Sequence, residues 1–462
     1  MLYAYLLTRG EFKIETAPQA NSRDKRTAYN VYLDLIMLML ELSGCKVKGP
    51  SGSYPVPEAS KNRYLNGSLL ARSLSGDDHI KSIILRDPQR MATFDKIVPE
   101  LYSKVITSSA YRSYIRLKER DMAEDTKFWK TIIQTVIATN PEFMEACRSA
   151  HDTFTLRGFE EGVEMALDTL SSYTDNRMRL VSARNSLDDS LEKAYELYHA
   201  LLLLMCEITR AQDLRLDAAK NKYLPTAEDL NPDTRFVDNA LPQTIAADEA
   251  MTSYLDEHPF SWADNDGLIK SLLDKILESD IYKDYMAAPV TDFAVDCEFW
   301  RNIYKSIILP SDELVEALEE KSIYWNDDLQ IMGTFVLKTL KQFAVKGPEA
   351  TLLPKYKDDE DACFGADLFM YSVNNYDLYR SYIDRFLQDG KWDAERLAFM
   401  DAVIMVCAIA EMLNYPAIPI AVTMNEYIEI ANDYSTPRSG QFINGILYAV
   451  TNYLKSEGLL NK

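Results

Sequence analysis

The chain has 462 residues, of which 47% are hydrophobic and 26% charged, and its formal net charge is −21. That composition belongs to a folded globular protein with room for two or three domains, and it excludes a disordered chain. The acidity argues against broad nucleic-acid binding, which needs clustered Lys and Arg, although residues 1–48 are mildly basic and leave room for a local patch.

Apolar residues recur with the helical period almost everywhere. No alternating strand and no Asn-Gly hairpin turn interrupts them, so an all-α fold is expected. TAYNVYLDLIMLMLEL (27–42) reads as a buried core helix. The apolar runs at 33–40 and 200–206 are far shorter than the ~20 residues that span a bilayer. Residues 46–62 concentrate Gly, Pro and Ser and read as a mobile loop.

LYSKVITSSAYRSYIRLKERDMAEDTKFW (101–129) is followed by NPEFMEA (140–146). The same rhythm returns in LLDKILESDIYKDYMAAPVTDFAVDCEFW (272–300), followed by SDELVEA (311–317). Lys104, Tyr111, Tyr114, Asp121, Asp125, Phe128 and Trp129 recur without a gap, 171 residues later, as Lys275, Tyr282, Tyr285, Asp292, Asp296, Phe299 and Trp300. KAYELYHALLLLMCEI (193–208) resembles 27–42 at a slightly different offset. Two diverged copies of one helical unit are therefore expected, from about 17 to 180 and from about 183 to 345.

Residues 347–362 carry two prolines and the acidic run Asp358–Asp361, and read as a solvated linker. From Phe364 to Phe386 a helix, a polar break and a second helix give a fainter third echo, in which Trp392-Asp393 takes the place of Trp325-Asn326.

Catalytic patterns are missing. None of the six cysteines forms a C-x-x-C pair, and no two of the four histidines share a helix face at ligand spacing. There is no G-x-G-x-x-G after a strand, no Walker lysine, no H-E-x-x-H and no G-x-S-x-G. Gly49-Pro50-Ser51-Gly52 is a turn and not a phosphate cradle. A non-enzymatic protein without metal or cofactor is expected, and with no signal peptide, a cytoplasmic one.

The last hundred residues hold the most specific pattern, three amphipathic helices joined by short, proline-marked turns. Thr423 and Glu426 have the spacing of a capping box. Thr436 before Pro437 reads as an N-cap followed by proline at the first helical position. The turn ANDYSTPRSGQF (431–442) thus opens a helix with Arg438, Ser439 and Gln441 in or near its first turn. Such a start is either an anion site, where Arg438 meets a phosphate, or an ordinary capped helix with an exposed arginine. Phe442, Ile446, Val450 and Leu454 form one core stripe, and Tyr427, Ala431 and Tyr434 another. Gly440 and Gly445 read as packing positions. Asp393 and Glu395 give the Trp392 helix an acidic rim, which suits the helix dipole or a basic partner.

The phrase MNEYIEIA…SGQFINGIL, from Met424 to Leu447, resembles the NusB transcription-antitermination family, and the order of segments over the last hundred residues agrees. The resemblance implies a NusB-like all-helical bundle that binds boxA-type single-stranded RNA together with the small-subunit ribosomal protein NusE. That complex joins other Nus factors on elongating RNA polymerase, notably at ribosomal RNA operons. It implies RNA contact at Thr436, Arg438, Ser439 and Gln441, and at Tyr3, which matches a tyrosine of the family's first helix. It implies partner contact at the start of the Trp392 helix, with Asp393, Glu395 and Phe399. No membrane is implied. The chain divides accordingly into 1–16 as first core helix, 17–182 and 183–345 as two copies of a helical extension, and 346–462 as the C-terminal core. In the family an Arg-rich arm precedes the first helix, whereas this sequence begins partway into it. The competing reading is a scaffold that holds the ribosomal protein with reduced or lost RNA binding.

Overall fold

The computed structural model describes residues 1–8, 22–45, 56–87, 90–289, 292–325, 327–388, 397–460 and 462. Among them every regular element is a helix. No described helix is long and apolar enough to cross a membrane. The fold is all-α.

Contacts divide the chain into two compact units, Met1–Ala183 and Arg184–Lys462. The division falls inside one unbroken helix, Leu156–Lys220. No proline interrupts that helix, and its only glycines, Gly158 and Gly162, lie near its start. A Cβ on Gly162 would lie 2.6 Å from the Ala28 carbonyl oxygen, and one on Gly158 would lie 2.6 Å from that of Asp24. The glycines therefore let this helix lie directly against its neighbour.

In the first unit that neighbour, Arg23–Ser43, is the central element. From Val31 to Leu42 nearly every side chain is buried, and Trp129, Phe94 and Phe143 pack into the same core. A helix apolar on all sides is stable only when surrounded, and this one is. Its buried Asp34 accepts from Arg90 Nε at 2.7 Å and lies 2.6 Å from His151 Nε2. Pairing of this kind makes a buried carboxylate tolerable.

Each unit contains the same local arrangement. Asp125 accepts from the Tyr114 hydroxyl at 2.6 Å, from Ser68 Oγ at 2.8 Å and from Leu70 N at 3.2 Å. Asp296 accepts from the Tyr285 hydroxyl at 2.6 Å and from Ala240 N at 2.9 Å. Tyr114 stacks on Phe128 at 4.3 Å between ring centroids, and Tyr285 stacks on Phe299 at 4.2 Å. A widened π-helical turn follows in both, Ile133–Ile137 and Tyr304–Ile308. Burial first, then the bond to the carboxylate, push both phenols far above their usual range. The ion cluster is not repeated: Ala200 stands where Asp34 stands in the matched helices, and its carbonyl accepts from Trp262 Nε1 at 2.8 Å.

The C-terminal part of the second unit holds the helices Asp359–Asn374, Tyr376–Gln388, Phe399–Asn414, Ile420–Tyr434 and Ser439–Ser456. Phe399–Asn414 is its buried centre, with Ala402 to Val406 and Ala408 to Met412 inside. The expected linker at 347–362 is packed instead. Ala350 and Leu352 are buried, the Leu353 carbonyl accepts from the Tyr195 hydroxyl, and Lys355 pairs with Glu192. The acidic run starts a helix: Asp358 caps it by accepting from Asp361 N at 2.9 Å. Carboxylates collect there because the helix N-terminus is positive. Of the expected loop at 46–62, residues 46–55 lie outside the described residues, while Pro57–Lys61 is a short helix.

Candidate nucleic-acid and partner interface

The site is built where Ile420–Tyr434 turns into Ser439–Ser456. The first of these helices begins after Pro419 and not at Thr423. Thr423 is fully buried inside it, so the expected capping box does not form. The second begins at Ser439, with Arg438 at the cap position and no side chain capping it. Thr436 acts earlier, in the turn. Its hydroxyl lies 2.8 Å from Ser439 Oγ, its N–H donates to the same oxygen at 3.2 Å, and its carbonyl accepts from Ser439 N at 2.8 Å.

The turn is locked from below by Asp401, near the start of Phe399–Asn414. Its two carboxylate oxygens accept from Ser435 Oγ at 2.5 Å and from Ser439 Oγ at 3.0 Å. Asp401 is 5% exposed and Ser439 2%, so this is a desolvated network in which each hydrogen bond counts for more than at a surface. Ser439 is therefore a structural residue. Thr436, Arg438 and Gln441 stand exposed around it. The amides of the first helical turn lack intrahelical acceptors, which gives this corner the chemistry of an anion site.

The structure thus brings Thr436, Arg438, Ser439 and Gln441 together. Phe399 is half-buried, and it lies on the helix that supplies Asp401. The Asp401 carboxylate thus joins the helix that carries Phe399 to the turn that carries Arg438. Tyr3 lies half-buried in Leu2–Thr8 of the first unit. Asp393 and Glu395, with the Trp392 turn, lie outside the described residues. Sequence reasoning missed Asp401. The available signal was a lone acid at the third position of the apolar run FMDAVIMVCAIA.

The two glycines differ. A Cβ on Gly440 would overlap Asn432 Oδ1, whereas one on Gly445 would meet nothing within 4 Å. Gly445 is not the packing position expected. Of the stripe on the last helix, Ile446, Val450 and Leu454 are core and Phe442 is half-buried, while Tyr434 is 51% exposed. Among the described residues no group of three or more His, Cys, Asp or Glu could hold a metal ion.

Residues 331–452 match the model of the NusB family. Over 110 residues the chain is 33% identical to the transcription antitermination protein NusB of Salinibacter ruber, covering 24% of this chain and 68% of that protein. The chain belongs to the NusB family. It is also 49% identical over 71 residues to NusB of Chloroherpeton thalassium, covering 15% of this chain and 34% of that protein. Against NusB of Dictyoglomus thermophilum it is 40% identical over 84 residues, covering 18% of this chain and 57% of that protein. The chain thus spans from about a third to about two thirds of the length of these NusB relatives. No solved structure matches it. The NusB match begins inside the Leu329–Lys346 helix, ahead of the boundary at 346 expected from the sequence.

Proposed function

We propose that this NusB-family chain is a transcription antitermination factor that binds boxA-type single-stranded RNA together with the ribosomal protein NusE. It acts with other Nus factors on elongating RNA polymerase at ribosomal RNA operons. It works by binding and not by catalysis, in the cytoplasm. The observation that carries this reading is the turn fixed by Asp401, which holds Arg438 exposed at a helix start within the family-matched residues.

In this reading Arg438 makes a bidentate phosphate contact, and Thr436, Gln441 and Tyr3 add polar or stacking contacts. Ser439 positions the turn. Asp393, Glu395 and Phe399 receive the basic ribosomal protein, whose charge suits the acidic rim. The division of the chain into a first core helix, two extension copies and a C-terminal core belongs to the same proposal. The repeated Tyr–Asp pairs and π-helical turns support the two copies.

The net charge of −21 favours a second reading, a scaffold that holds the ribosomal protein with weak or no RNA binding. Filter binding across a salt series separates the two. Arg438→Ala should weaken boxA-type RNA binding and lower the salt slope by about one charge. An unchanged slope would remove Arg438 from the RNA contact.

A further inference from the structure

A second feature of the C-terminal unit has no part in the RNA reading. A groove of about 650 Å³ runs between the 309–337 segment and the end of Ile420–Tyr434. The half-buried Leu309, Leu329 and Leu337 line its floor, and the exposed Asp327, Asp433 and Tyr434 line its rim. No Lys or Arg lines it. Tyr434 leaves half of its ring in solvent, and Asp327 and Asp433 are exposed.

The electrostatics are one-sided. The Tyr434 phenol is pushed up by burial, by its hydrogen bond to Asp327, and by the carboxylates of Asp327, Asp328 and Asp433. The Asp328 carboxyl is pushed up by burial and by Asp327. Three like charges beside an apolar floor leave a field that a cation would relieve and a phosphate would aggravate.

We propose that this groove docks a basic, partly apolar peptide segment of a protein partner. Arg or Lys side chains meet Asp327 and Asp433, an aliphatic side chain lies on the Leu309–Leu329–Leu337 floor, and a cation can also sit over the Tyr434 ring. Leu309, Pro310, Asp327, Leu329 and Gln330 fall outside the residues matched to the family. The inference goes beyond the antitermination reading and does not depend on RNA binding.

The test titrates the full chain against a fluorescein-labelled eight-residue peptide of alternating arginine and leucine, read by anisotropy. The wild type should bind it and should not bind the glutamate–leucine counterpart. Asp327→Lys with Asp433→Lys should weaken binding by about tenfold or more. Tyr434→Ala, at an exposed position, should weaken it several-fold. Asp359→Lys with Glu360→Lys, the same charge change outside the groove, should leave it within about twofold. The proposal is overturned if the wild type fails to bind, if the groove variants bind as the wild type does, or if the control pair weakens binding as much as the groove pair. Circular dichroism of each variant confirms that the compared proteins are folded.

Discussion

At the scale of single residues, the turn depends on Asp401. Removing it takes the charged acceptor away from the Ser435 and Ser439 hydroxyls, which keep only each other and Thr436 as hydroxyl neighbours. Asp401→Ala should lower stability by about 1–3 kcal/mol in urea unfolding. It should also weaken RNA binding without touching RNA, because Arg438 then loses its platform. The two glycines give opposite expectations. Gly440→Ala should destabilise by up to about 1 kcal/mol, because the exposed Asn432 side chain must swing aside, and Asn432→Ala should relieve much of that. Gly445→Ala should stabilise by up to about 1 kcal/mol, since the exposed helix gains only a better helix former. Thermal unfolding of the three variants checks both signs. Sequence treated the glycines alike because only a neighbour in space separates them.

A second residue-scale prediction concerns pH. His199 is 1% exposed, and its Nδ1–H donates to the Tyr195 carbonyl at 3.0 Å. Nε2 is then bare, buried and without a hydrogen-bond partner among the described residues, while the ring stacks on Tyr254 at 3.8 Å. Burial holds its pKa below the usual histidine value. The unfolded chain therefore binds more protons as pH falls below about 6.5, so this contribution to stability is full above that pH and is lost on acidification. Unfolding curves between pH 7 and pH 5 should show the loss, and His199→Phe, which keeps a stacked ring, should flatten it.

At the scale of elements, the repeated Tyr–Asp pairs explain why those residues recur in the sequence. Each ties the end of one helix to the start of the next through a buried carboxylate. Tyr114→Phe and Tyr285→Phe should each cost about 1–3 kcal/mol. The effect should be larger at Tyr285, because Asp296 keeps one other donor in the structure and Asp125 keeps two. Hydrogen exchange should localise each loss to its own unit, where a single global unfolding curve would blur them. These elements were legible because period, caps and spacing all act locally: Ser108 and Ser279 cap at matching positions, as do Asp121 and Asp292. Thr423 misled for the opposite reason. Its spacing to Glu426 fits a cap, but burial places it inside a helix that Pro419 starts. The 347–362 segment misled likewise, since its prolines say nothing of the Tyr195 and Glu192 partners that hold it.

At the scale of the whole molecule, family and fold class follow from one stretch of about a hundred residues and from the helical period. The candidate site was only half legible. The exposed members of the turn could be read from the sequence, but the carboxylate beneath them could not, because it comes from a helix over thirty residues earlier. The acidic groove was invisible for the same reason: Asp327 and Asp433 meet only in three dimensions. In the proposed function, an acidic chain carries a local RNA site used jointly with a basic protein. Fluorescence anisotropy of a boxA-type RNA across a salt series, with and without the ribosomal protein, tests it most directly. The chain should bind the single strand in preference to its duplex, more weakly at higher salt and more tightly when the ribosomal protein is present. Failure to bind the RNA under every one of these conditions, while the ribosomal protein still binds, would contradict it.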